Sequence, residues 1–409
     1  MVRPYAILAL LTLLNFLNYI DRNILFGVQP LIQKEFGVSD ASLGFLTTTF
    51  FICYIFTSPF VGYLADRRSR KNIIVLGAIL WSAATLLTAL THSFTTLLVR
   101  HTLVGIGEAT FVVIAPAYIA DLFPIERRGG MLSIFYLAIP MGSALGYILG
   151  GYLGTRYGWR SPFYVGAAPG LLVAIAFLFT REPVRGSTEG EFRASDSGKL
   201  TGLINNKAFL TATLGMAMFT FVVGGIQVWM PTFLARERSL PLDRATLYLG
   251  AITVIDGFVA TMVGGWLGDR LMRRRASAYY LVSAVGMALA FPAALLAIYG
   301  PPAWIFPSLL MAEFFLFLNT GPLNAAIVNS VSPAIRATAV GLNVWIIHVL
   351  GDVPSPLLIG FISDRTQHSL QKGFSVAMAA IVLSAAVLFY GMRFAPPVRA
   401  REEAAGTVA

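Results

Sequence analysis

The sequence has little charge and almost no cysteine. Of its 409 residues only 12% are Asp, Glu, Lys or Arg, against 56% hydrophobic, and the mean hydropathy is +0.73. A soluble fold of this size could not cover its surface with so few charges, which leaves a polytopic membrane protein. The one cysteine, Cys53, lies in an apolar run, so an intramolecular disulfide and a cysteine-built metal centre are both excluded. There is no Walker loop, and Gly105-Ile106-Gly107 sits inside an apolar stretch with no strand before it. No metal ligands cluster along the chain. ATP, cofactors and enzyme chemistry are therefore not expected. Acidic residues are also scarce, 20 against 30 Lys and Arg, for a net charge of +10. Nucleic acid would suit such an excess, but most of the Lys and Arg fall at the termini and in the even-numbered loops between apolar runs. That is the positive-inside asymmetry, which places both termini in the cytoplasm and makes the bilayer the partner instead. A multi-pass protein of the inner (plasma) membrane is expected. Its first apolar run is too long for a signal-peptide core, and more runs follow.

Twelve apolar runs are present, near 5–32, 41–64, 72–90, 95–122, 129–155, 162–180, 207–234, 244–268, 276–299, 302–331, 336–363 and 373–393. The longest polar segment, 181–206, separates six from six. The expected fold is all-α: a six-helix bundle over 1–180, a cytoplasmic linker over 181–206, a second bundle over 207–393 and a cytoplasmic tail over 394–409. The halves echo each other. Gly62-Tyr63-Leu64-Ala65-Asp66-Arg67 after span 2 recurs as Gly265-Trp266-Leu267-Gly268-Asp269-Arg270 after span 8. Pro124 followed by Arg127 recurs as Pro333 followed by Arg336. Such repeats suit a transporter that rocks two bundles about a central site. Gly62, Asp66, Arg67, Arg70, Lys71, Asp269 and Arg270 are then expected to form a cytoplasmic charge network that must break when the gate opens.

Asn18-Tyr19-Ile20-Asp21-Arg22 interrupts the first span near its middle. A charge at that depth costs roughly 2.5–3.5 kcal/mol, and two neighbours about 100° apart around a helix cannot both snorkel. Glu108 lies at similar depth in span 4. Such groups must face a wet cavity or partners on other helices. Glycines 142, 146, 150 and 154 recur every fourth residue on span 5, a stripe that lets another helix pack at backbone contact.

These residues carry a resemblance. Gly62 to Lys71 resembles the loop 2–3 signature of the major facilitator superfamily, and 265–270 its loop 8–9 copy. Asn18 to Arg22, Gly105-Ile106-Gly107-Glu108-Ala109, 115–123 and 131–140 resemble the spinster family more narrowly, and Arg181-Glu182-Pro183 and Trp229-Met230-Pro231 extend the match. The resemblance implies two pseudo-symmetric bundles of six helices working by alternating access, with spans 1, 4, 7 and 10 lining the cavity. It would bring Asp21, Arg22 and Glu108 together for proton coupling or substrate contact, in a monomer without cofactor. It implies an amphiphilic lipid such as a lysophospholipid or sphingoid lipid, with protons as the coupled ion. Adaptable walls fit this: Phe219 with its methionine and phenylalanine neighbours on span 7, and Phe314, Phe315 and Phe317 on span 10. Gln227, Glu313 and Asn319 are further cavity candidates. Four residues before Gly105, where the family usually has arginine, stands His101, and Arg100 is displaced one place. Either Arg100 substitutes after a small rotation, or a titratable histidine replaces a fixed charge. Two other readings stay open: a drug or organic-anion carrier on the same scaffold, and a non-transporting membrane sensor.

Overall fold

The computed structural model describes residues 3–123, 125–184, 201–331 and 336–395, apart from a few side chains within them. Among the described residues twelve helices are long and apolar enough to cross a membrane, and no strand forms. They are α1 (Pro4–Phe36), α2 (Asp40–Arg67), α3 (Arg70–Ala89), α4 (Phe94–Leu122), α5 (Ile125–Tyr157), α6 (Ser161–Leu178), α7 (Lys207–Arg236), α8 (Leu242–Met272), α9 (Ala278–Tyr299), α10 (Pro302–Ile327), α11 (Ala339–Arg365) and α12 (Leu370–Phe394). The expected twelve-helix fold is observed. Asp66, Arg127 and Arg336 as side chains, Pro124 and Pro333, the linker over 185–200 and the tail from 396 lie outside the described residues.

Local chemistry sets the helix ends. Ser39, Ser69 and Ser93 precede α2, α3 and α4, and each accepts from the N–H three residues on, at Ser42, Asn72 and Thr96. These caps satisfy donors that the first helical turn leaves unpaired. Helix α1 stops at Gly37, whose φ of +62° suits a residue without a side chain. Helix α10 is interrupted at Leu318–Asn319, and α11 carries a π-helical turn over His348–Asp352.

By contacts the chain forms two compact units. The first comprises Met1–Arg193 with Gln227–Val254 and Ser363–His368; the second comprises Ala194–Ile226, Ile255–Ile362 and Ser369–Ala409. In the first, α3 packs on α4 and α6, and α1 lies along α5. In the second, α9 packs on α10 and α12, six helices later in each case. Glycines extend the parallel: Gly351 of α11 abuts Thr220 of α7, and Gly224 of α7 abuts Asp352.

The glycine stripe is the seam between α5 and α1. A Cβ on Gly142 would stand 2.5 Å from the Phe16 carbonyl oxygen, one on Gly146 2.6 Å from that of Ile20, and one on Gly150 2.8 Å from that of Ile24. Gly27 answers from α1, with Gly150 Cα 3.1 Å from where its own Cβ would be. Backbone contact along about three turns of α1 fixes its rotation and therefore the direction of every side chain it carries. Gly146→Ala should lower stability by about 1–3 kcal/mol, the usual cost of overpacking. Gly265→Ala, where an added Cβ meets nothing within 4 Å, should be neutral or stabilising by about 0.5–1 kcal/mol through helix propensity. Thermal unfolding of the two purified variants in detergent checks the difference.

Candidate functional site

Helix α1 enters the middle of the first unit with Arg22 and Asp21 on adjacent faces. Arg22 reaches Glu108 of α4: Nη2 donates to Oε2 at 2.6 Å and Nε donates to the same oxygen at 3.1 Å. Glu108 is wholly buried and the Arg22 side chain is 13% exposed. The depth of Glu108 follows from the two glycines before it. A Cβ on Gly105 would meet the Phe50 carbonyl of α2 at 2.5 Å, and one on Gly107 the Trp81 amide of α3 at 2.6 Å. Removing both Cβ atoms lets α4 sit between α2 and α3, with Glu108 carried inward.

Aromatic rings surround the guanidinium. Arg22 Cζ lies 5.0 Å from the centroid of Tyr19, 5.1 Å from Phe50, 5.7 Å from Phe51 and 5.4 Å from Tyr54. His101, buried on α4, stacks on Phe50 with centroids 5.4 Å apart. Arg100 points elsewhere and donates to the Leu87 carbonyl at 2.8 Å. Of the two candidates on α4, the histidine lines this site and the arginine does not.

Asp21 is buried but faces α3 and α6. Its Oδ2 accepts from Thr85 Oγ1 at 3.4 Å, and an added Cβ at Gly166 would collide with Oδ1. It adjoins Arg22 along α1 but is turned away from the Arg22–Glu108 contact. The three charges are therefore neighbours, with Arg22 and Glu108 in contact and Asp21 turned aside.

The remaining candidates are dispersed. In the first unit, the Gln227 carbonyl accepts from Tyr147 Oη at 2.8 Å. In the second, Phe219 and Glu313 are buried on α7 and α10. Asn319 is spent within α10, where Nδ2 donates to the carbonyls of Phe315 and Leu316 at the helix break. His348 pairs with Asp352 at 2.6 Å inside the π-helical turn.

At one end of α2, Arg70 pairs with Asp121 of α4 at 2.5 Å, and the Arg70 N–H and Ser69 hydroxyl both donate to Glu182. Lys71 Nζ donates to the carbonyls of Leu178 and Thr180. Gly62 keeps 3.9 Å of room toward Val113. Arg67 lies over the Tyr63 ring at 3.5 Å, and Arg270 over Trp266 at 5.5 Å, the same i, i+4 arrangement in both repeats. Asp269 accepts from Tyr279 Oη at 2.7 Å.

At the other end of α2 stands a second cluster, one that hydropathy does not single out. Asp40, wholly buried, takes Arg236 Nη1 and Nη2 at 2.8 Å each, Gln33 Nε2 at 2.6 Å and Ser363 Oγ at 2.5 Å. Asp364 accepts the N–H groups of Asp40 and Ala41 at 2.9 and 2.8 Å, and lies 3.2 Å from His368. Asp40, Asp364 and His368 are close enough to hold a metal ion, but the Asp40 oxygens are already taken by four donors. A signal was available: Gly360, Asp364 and Arg365 repeat the spacing of Gly62, Asp66 and Arg67.

Residues 11–356 match the Major Facilitator Superfamily. The chain is 35% identical over 406 residues to protein spinster homolog 1 of Xenopus laevis, covering 93% of this chain and 76% of that protein. It is 35% identical over 428 residues to the sphingosine-1-phosphate transporter SPNS2 of Danio rerio, covering 95% and 83%. Among solved structures, a bacterial homologue of the human lysosomal transporter spinster, inward-facing and unoccupied, superposes with a TM-score of 0.86 at 24% identity, covering 96% of this chain and 97% of that one. A D-xylose–proton symporter gives 0.78 at 18%, covering 96% and 98%.

The Asp40 cluster makes a prediction of its own. Arg236→Ala leaves a buried carboxylate without its cation. Breaking a fully buried pair costs about 3–5 kcal/mol; with the Arg236 side chain 26% exposed, about 2–3 kcal/mol is expected. Asp364→Ala removes the cap on α2 together with the contact to the exposed His368 and should cost about 1 kcal/mol. Unfolding midpoints of the two variants should fall in that order.

Proposed function

Because the chain belongs to the spinster family of the major facilitator superfamily, we propose that it moves an amphiphilic lipid, a lysophospholipid or sphingoid lipid, across its membrane by alternating access. The relative named for sphingosine-1-phosphate transport supports the substrate class. The observation that carries the reading is the Arg22–Glu108 pair at the middle of two membrane helices. Arginine keeps its charge at any physiological pH, and its planar fork suits a phosphate or carboxylate head group. An anionic head group arriving at Arg22 competes with Glu108 for the same donors. A proton on Glu108 releases the guanidinium to the substrate, and loss of that proton returns it. Asp21, buried one face away and accepting from the Thr85 hydroxyl, is a second place to hold a proton.

The driving force is adequate: about 100 mV supplies some 2.3 kcal/mol per charge, beyond the roughly 1.4 kcal/mol of a tenfold concentration gradient. In this reading the chain acts as a monomer of two six-helix bundles, 1–180 and 207–393, in the inner membrane with both termini cytoplasmic. The Arg70–Asp121 end of α2, with Asp66 to Lys71 and Asp269-Arg270, is the cytoplasmic gate. The Asp40–Arg236 end is the opposite one, and contacts at the two ends form in alternation.

Uptake of a labelled lysophospholipid into proteoliposomes under an imposed pH gradient tests the reading. Wild type should follow the gradient. Glu108→Gln should lose that dependence while still exchanging substrate, and Arg22→Ala should lose at least about tenfold in uptake, the loss of one charge-assisted contact. A folded wild type that moves no lipid, with or without the gradient, removes the substrate assignment.

A further inference from the structure

Among the described residues Arg22 has one ion-pair partner, Glu108, and that partner can become neutral. Whenever Glu108 carries a proton, a permanent cation is left inside a membrane helix bundle with no counter-ion in contact. A lone guanidinium there would be expected to swing away or draw the site apart. Its surroundings offer an alternative. Four rings, Tyr19 from α1 and Phe50, Phe51 and Tyr54 from α2, lie with centroids 5.0–5.7 Å from Arg22 Cζ. A protein averages roughly one energetically significant cation–π contact per 70–80 residues, so four on one cation is a built feature.

The rings are themselves fixed. Phe50 and Phe51 meet edge to face at 5.2 Å, and Phe50 stacks with Tyr54 at 6.2 Å and with His101 at 5.4 Å. The Phe50 backbone is held against Gly105 of α4, one turn from Glu108. None of the four rings carries charge at neutral pH, so their attraction for the guanidinium does not depend on the state of Glu108. The other titratable groups near Arg22 are Asp21 on α1, turned toward Thr85 of α3, and His101 on α4, behind Phe50.

We propose that Tyr19, Phe50, Phe51 and Tyr54 form a neutral seat that keeps the Arg22 guanidinium in the transport site while Glu108 is protonated. They act as positioning residues through Arg22. This rests on the reading of Arg22 as the head-group anchor and of Glu108 as the proton carrier, and it adds what holds the anchor when the pair is broken. The seat lets Glu108 give up its ion pair without loss of the binding geometry.

The test is a cycle of variants read by binding of oleoyl lysophosphatidate to the purified full-length protein, with Glu108→Gln as the neutral form of the carboxyl. In the wild-type background Phe50→Leu should change affinity by less than about threefold, because Glu108 still holds Arg22. In the Glu108→Gln background the same change should cost about tenfold or more. Phe50→Tyr, which keeps the ring, should restore binding there; a volume-filling role alone would be met by leucine. Tyr19→Leu, at a half-buried position, gives the same comparison if Phe50→Leu does not fold. Equal losses in the two backgrounds, or no rescue by tyrosine, overturn the seat while leaving the anchor in place. If Arg22→Ala binds the probe as well as wild type, the anchor reading falls and the seat falls with it.

Discussion

A guanidinium in the middle of a membrane helix bundle cannot lose its charge and cannot be left to bulk water. Neighbouring helices have to supply what water would, and most of the first unit is arranged around that demand. Arg22 is aimed by α1, and α1 is aimed by backbone contact with the glycines of α5. Glu108 meets it because Gly105 and Gly107 let α4 settle between α2 and α3. Rings from α2 fill the space that a hydration shell would otherwise occupy. Each device alone is ordinary helix packing. Together they hold one charge at a fixed place where insertion is otherwise costly.

The two ends of α2 use charge differently from its middle. Near one end Arg70, Asp121 and Glu182 join α3, α4 and the segment after α6. At the other, Asp40 takes four donors while Asp364 caps the first turn of the helix. The spacing of glycine, carboxylate and arginine recurs at 62–67, 265–270 and 360–365, yet the carboxylates act differently: Asp269 accepts from a tyrosine, and Asp364 from two backbone amides. A small residue followed one turn later by a carboxylate therefore marks a helix end that must meet another helix. It does not specify the partner.

That limit recurs wherever the sequence and the structure are compared. Hydropathy gives all twelve spans, since the bilayer imposes length and composition on each run independently. Four-residue glycine spacing identifies the seam on α5 but cannot name α1 as its occupant. Intramembrane charge picks out Asp21, Arg22 and Glu108, yet only the rotation of α1 turns Arg22 to Glu108 and Asp21 to Thr85. Likewise Arg100 and His101 differ by one position, and helix phase alone decides that the histidine stacks on Phe50 while the arginine leaves for the Leu87 carbonyl. Phe50, Phe51 and Tyr54 look in sequence like any membrane helix. Arg236 and Asp40 are 196 residues apart, a separation that no local pattern spans.

The two buried arginine–carboxylate pairs differ in how their oxygens are used. Arg236 and Asp40 make a parallel fork, two donors to two oxygens, with Ser363 and Gln33 on the same carboxylate. A proton has no oxygen there to occupy without displacing a donor, so this pair is built to stay charged for as long as the helices touch. Arg22 instead brings Nε and Nη2 to one oxygen of Glu108 and leaves Oε1 outside the pair. A carboxyl held through one oxygen can take a proton on the other before the first contact is given up. Two arginine–carboxylate pairs of similar burial and length thus differ in what they permit. The Arg22–Glu108 pair is the one that leaves a carboxylate oxygen outside the ion pair, the arrangement that the proposed coupling needs.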